Sequence, residues 1–80
     1  MIPLYGFLEG DTIGLLILAE GDDSIAELAR KLQSAARLRA AIDGPVTVLH
    51  EGKRIDPGVT VSDAGLTPLA RFDVRRGTPA

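Results

Sequence analysis

Only one stretch of this 80-residue chain repeats apolar residues at helical spacing. Ile25, Leu28, Ala29, Leu32, Ala35 and Ala36 fall on one face, and Arg30, Lys31, Gln33, Ser34 and Arg37 on the other. One amphipathic helix cannot bury its own apolar stripe, so it has to lie on something. The rest of the chain offers only short apolar runs bounded by turn residues. Those runs predict strands over Ile2–Leu8, Thr12–Ala19, Val46–His50, Lys53–Ile55 and Leu69–Arg75. The expected architecture is α+β, with one main helix packed on one face of a mixed four- to five-stranded sheet.

Local signals support that order. Glu9-Gly10-Asp11 supplies turn chemistry for an N-terminal hairpin. Ser24 and Glu27 form an S-x-x-E capping box, and Asp22 and Asp23 suit the positive end of the helix that follows. The helix is expected to run to about Arg39–Ala41, where Asp43-Gly44-Pro45 stops it. Glu51-Gly52 and Asp56-Pro57-Gly58 are turns, Val61–Gly65 reads as one short helical turn, and Pro68 closes a loop. The last strand can pair centrally and in parallel with the first. Residues 1–76 are expected to form a single domain and residues 77–80 a frayed tail.

Composition removes most kinds of chemistry. With no cysteine there is no disulfide scaffold, thiolate metal site or cysteine nucleophile. With His50 as the one histidine, multi-histidine metal sites are excluded, and the carboxylates are scattered over predicted loops. Tryptophan is absent and aromatics make up 4%, too few for a base-stacking platform. Residues 1–29 hold six acids and no base, whereas residues 30–80 hold nine bases and five acids. No run of five like charges occurs, so these charges read as solvated surface, and nucleic acid is not an expected partner. The N-terminus has no basic region of a signal peptide, and the apolar run Ile13–Ala19 is too short to cross a bilayer. A cytoplasmic protein without membrane contact is expected.

Two resemblances sharpen the reading. Glu51-Gly52-Lys53-Arg54-Ile55-Asp56-Pro57-Gly58-Val59-Thr60-Val61-Ser62-Asp63, the hairpin Leu8–Ile13 and the helix start Ser24–Leu32 resemble ubiquitin and its β-grasp relatives. Val61-Ser62-Asp63-Ala64-Gly65-Leu66-Thr67-Pro68, then Phe72-Asp73-Val74, with Ile2-Pro3-Leu4 and Phe7-Leu8-Glu9, is similar to the small β-grasp subunit of bacterial toluene monooxygenases. That subunit is called system protein B, or the gamma subunit of the hydroxylase. The second likeness lapses in the helix and in the short fourth strand. It implies a ubiquitin-like fold and a non-catalytic role. It also implies a protein partner, the large subunit of a carboxylate-bridged diiron hydroxylase, with any iron held there and no cofactor in this chain.

Each candidate for chemistry has a plainer explanation. His50 near a strand end lacks a paired nucleophile, and Ser24 and Ser62 are explained by capping. Gly6, Gly10 and Gly14 are spaced like a membrane-helix motif, but Pro3, Glu9 and Asp11 break it. Gly10 serves the turn, while Gly6 and Gly14 need a local reason to sit in strands. Arg75-Arg76-Gly77 is reminiscent of ubiquitin's terminus, but modifiers and sulfur carriers end in two glycines, and here Thr78-Pro79-Ala80 follows one.

The second predicted strand carries the functional signal. If Ile13, Leu15 and Ile17 face the helix, Leu16 and Leu18 face the other way, onto a face that a single helix leaves open. The resemblance adds Leu4 to that face, and Leu49 extends it, with Arg71 and Arg75 at the rim. Several exposed leucines on one face suggest a binding site. The expected function is that of an accessory subunit docking on a diiron hydroxylase through this face. A ubiquitin-like modifier or sulfur carrier, and a free-standing regulatory binding module, stay open.

Overall fold

The structure is a computed structural model and describes residues 1–38 and 44–77. Ser24 opens the helix α1 (Ile25–Ala36), its Oγ accepting the Glu27 N–H at 3.0 Å. Helix starts leave their first amides without partners. Here the Ile25 and Ala26 amides donate to the carbonyls of Val59 and Pro57, at 2.9 and 3.1 Å. The Val61 amide answers by donating to the Asp23 carbonyl at 2.8 Å, so the helix start is stitched to the 56–61 turn. Glu27 turns outward and pairs with Arg30.

The strands are β1 (Ile2–Leu8), β2 (Leu15–Ala19), β3 (Val46–His50), β4 (Lys53–Ile55) and β5 (Arg71–Arg76). They form one mixed sheet in the order β2-β1-β5-β3-β4. β1 and β5 pair in parallel at the centre, and every other pair is antiparallel. The helix crosses one face. Ile25, Leu28 and Leu32 are fully buried against Leu4, Ile17, Val48, Phe72 and Val74, and Leu15 packs at the margin. Val61 and Leu66, from the turns before β5, close the end of this core.

Several expectations need correction. β2 starts at Leu15, not Thr12, because the chain curls back first: the Asp11 amide donates to the Leu8 carbonyl, and the Ile13 amide to the Asp11 carboxylate. Ile13 therefore stands in a loop, 53% exposed, and is not a core residue. The helix ends at Ala36, short of the expected 39–41, because the apolar stripe has by then run out of sheet: Leu38 is 95% exposed. Residues 39–43, where the stop signal was placed, lie outside the described residues. β5 starts at Arg71, since Leu69 takes a left-handed φ of 68° and spends its amide on the Pro3 carbonyl. Gly77 is held by the body, its amide on the Pro45 carbonyl and its own carbonyl accepting from Thr47 Oγ1 at 2.6 Å. Residues 78–80 of the expected frayed tail lie outside the described residues.

Both puzzling glycines find their reason in space. A Cβ on Gly6 would lie 2.7 Å from Phe72 Cζ and 2.9 Å from a Leu32 methyl, so its absence lets the helix sit down on β1. A Cβ on Gly14 would lie 2.4 Å from Phe7 Cζ, so the loop backbone can close over that ring.

Candidate protein-docking face

Side chains alternate across a strand, so the buried set fixes the opposite set. On β2, Ile17 and Ala19 are buried under α1. Leu16 and Leu18 must then point to the uncovered face, where they are 54% and 50% exposed. The register carries that face across the sheet. Leu18 lies beside Pro3, and Leu16 beside Tyr5. Tyr5 pairs with Arg71 and Phe7 with Asp73. Asp73 pairs with Leu49, and Arg75 with Thr47.

Of the residues expected on the open face, Leu16, Leu18, Leu49, Arg71 and Arg75 do share it. Leu4 does not. It pairs with Ile17 and is fully buried beneath the helix. β1 has bulky apolar residues on both sides, Leu4 and Leu8 on one and Pro3, Tyr5 and Phe7 on the other, so its alternation alone is ambiguous. Gly6 resolves it: the side that packs closest to the helix must carry the small residue. Tyr5, 42% exposed, and Phe7 are the face residues that sequence reasoning missed. The signal for them was present in the same glycine.

The centre of the face is organised by Arg71. Its guanidinium lies over the Phe7 ring, 4.0 Å from the centroid, and its Nε donates to Asp73 Oδ1 at 3.1 Å. The ring is thus held between an arginine above and the Gly14 loop at its tip. A cation over a ring at an exposed site contributes about 0.5–1 kcal/mol. The arrangement presents an apolar strip, Leu18-Pro3 and Leu16-Tyr5, with Arg71 beside Tyr5 and Arg75 farther along β5 beside Thr47. A groove of about 680 Å³ adjoins it, lined by His50, Glu51, Leu69 and Arg71 among others.

His50 Nδ1 is 2.9 Å from the Arg71 carbonyl, so that nitrogen donates. Ser24 is occupied as a helix cap. Among the described residues, no three His, Cys, Asp or Glu side chains gather where they could hold a metal ion. No described helix is long and apolar enough to cross a membrane.

One charged cluster is well defined. Asp23 accepts the Glu20 amide at 2.9 Å and Lys31 Nζ at 2.8 Å. The Glu20 amide first, and Lys31 second, hold the Asp23 carboxyl below the usual carboxylate value, while Asp23 raises Lys31 in turn. Lys31 also donates to the Leu18 carbonyl at 3.2 Å, which ties the helix to β2.

Comparison with known proteins agrees with this architecture. A chain of a toluene 4-monooxygenase HD complex, solved with the inhibitor 4-bromobenzoate, superposes with a TM-score of 0.86 at 22% identity, covering 95% of this chain and 98% of that one. Ubiquitin of Caldiarchaeum subterraneum superposes with a TM-score of 0.77 at 10% identity, covering 99% and 96%. At these identities the likeness establishes the ubiquitin-like fold. No curated protein sequence matches the chain. The sequence profile of toluene-4-monooxygenase system protein B (TmoB) matches residues 1–75, almost the whole chain. The chain therefore belongs to the toluene-4-monooxygenase system protein B family, an accessory component of a multicomponent monooxygenase.

Proposed function

We propose that this chain is a non-catalytic accessory subunit that binds the large subunit of a toluene-type diiron monooxygenase through the open face of its sheet. The observation that carries the reading is the pair Leu16 and Leu18, half exposed beside Tyr5 and Pro3 on a face that α1 does not cover. A contiguous apolar patch of this kind marks a docking surface. Burying each leucine contributes roughly 1.5–3 kcal/mol. Arg71 and Arg75 then lie at the edge of the contact, where charge steers and orients more than it binds. On this reading the oxygen chemistry belongs to the partner, and the complex is cytoplasmic. The modifier reading draws no support from the tail, because Arg76 and Gly77 are both hydrogen-bonded to the body, at Glu9, Pro45 and Thr47.

Leu16→Asp tests the proposal. The free protein should keep its melting temperature, because the side chain is solvated there. The complex should fail to form, because docking would desolvate the new carboxylate. A variant that unfolds would place Leu16 in the core. A variant that stays folded and co-purifies normally with the large subunit would remove the open face as the interface.

A further inference from the structure

The two edges of the sheet, β2 and β4, are built differently. β4 is three residues long, carries Lys53 and Arg54, and runs into Asp56-Pro57. Shortness, charge and proline are the usual guards against strand addition. β2 is Leu15-Leu16-Ile17-Leu18-Ala19, without charge or proline.

Its outward backbone groups follow from its neighbour. The Tyr5 amide donates to the Ala70 carbonyl, and the Leu69 amide to the Pro3 carbonyl, so Pro3 and Tyr5 turn their backbone away from β2. Alternation turns Leu4 and Gly6 toward β2, onto their register partners Ile17 and Leu15. The amides and carbonyls of Leu16 and Leu18 are left pointing off the sheet. The Leu18 carbonyl bears this out, since it accepts from Lys31 Nζ, an ammonium anchored on Asp23.

We propose that the free edge of β2 accepts an extended strand of the oxygenase large subunit, apolar in its middle and flanked by Lys or Arg. The proposal rests on the docking reading above and deepens it. Leu16 and Leu18 offer side chains to the open face and backbone groups to the edge, so one partner segment can engage both. Charge selects the occupant. Asp11 precedes β2, Glu20 and Asp22 follow it, and residues 1–29 hold no Lys or Arg, while Glu9 is held on the Arg76 amide and Asp23 on Lys31. A basic-flanked strand complements those ends, whereas an antiparallel second copy would set acids against acids. Lys31 competes for the Leu18 carbonyl and has to share or release it when the strand adds.

The test compares Leu16→Pro with Leu16→Ala, each co-expressed with the large subunit. Both remove the leucine side chain, but only proline also removes the outward amide. Both free variants should melt cooperatively, and Leu16→Pro should bind at least about tenfold more weakly than Leu16→Ala. Equal affinities overturn the edge proposal and leave face docking standing, provided Leu18→Asp releases the partner. If Leu18→Asp binds normally, the docking reading falls, and the edge proposal with it. If Leu16→Pro unfolds, amide exchange of the wild-type protein decides. The Leu16 and Leu18 amides should exchange at least about tenfold more slowly in the complex than in the free chain, and unchanged exchange overturns the proposal. A concentration-dependent dimer abolished by Leu16→Pro would assign the edge to a second copy and overturn the named occupant.

Discussion

Gly6→Ala adds one methyl group at the point where α1 meets the sheet. The new Cβ would stand 2.7 Å from Phe72 Cζ and 2.9 and 3.0 Å from the two Leu32 methyls. Both neighbours are fully buried and have little room to yield. Overpacking of this kind costs about 1–3 kcal/mol. Replacing glycine in a strand returns less than about 1 kcal/mol in chain entropy. Destabilisation wins, and each kcal/mol should lower the melting temperature of a domain this size by roughly 4–8 °C. Leu32→Ala alone should cost about 2–5 kcal/mol through its cavity. The two changes occupy the same space, so the double variant should lose less than their sum, by roughly 0.5–3 kcal/mol. Urea unfolding of all four proteins measures the cycle. A stabilising Gly6→Ala, or additivity within about 0.5 kcal/mol, would refute the packing of helix on β1.

Asp23→Asn should destabilise the protein at neutral pH by removing the negative charge that the Glu20 amide and Lys31 share, leaving one neutral oxygen to accept from them. Because Asp23 titrates below its ordinary value of 3.8 in the folded state, its contribution is present above that value and is lost as pH falls through the lowered one. Melts of variant and wild type should therefore converge in acid, and a gap that persists below the folded value would contradict the assignment. His50→Gln should leave turnover of the reconstituted oxygenase nearly unchanged, since the ring contacts only a backbone carbonyl among the hydrogen bonds described. A loss of about 100-fold or more with normal assembly would make His50 catalytic.

The sequence is most legible where two independent signals coincide. Helical spacing and the Ser24 cap placed α1, and β1, β3 and β4 fall on the expected residues. The exposed leucines of β2 were legible because five apolar residues exceed what one covered face can bury. Leu4 was misplaced because β1 is apolar on both sides, and only the contact between Gly6 and Leu32 breaks the tie. Ile13 was misplaced because a loop that curls through Asp11 looks, in sequence, like the start of a strand. Phe7 joined no prediction because its partner is Arg71, 64 residues away in sequence and adjacent only through the parallel β1–β5 pair.

Photo-crosslinking tests the account most directly. Benzoylphenylalanine in place of Tyr5 stands on the open face, and in place of Arg30 it stands on the solvent side of α1, where that residue is exposed. Each variant is reconstituted with the oxygenase large subunit, irradiated and separated by mass. Docking through the open face predicts an adduct of the two chains from position 5 and none from position 30. An adduct from position 30 alone would put the helix against the partner and contradict the assignment of the sheet face.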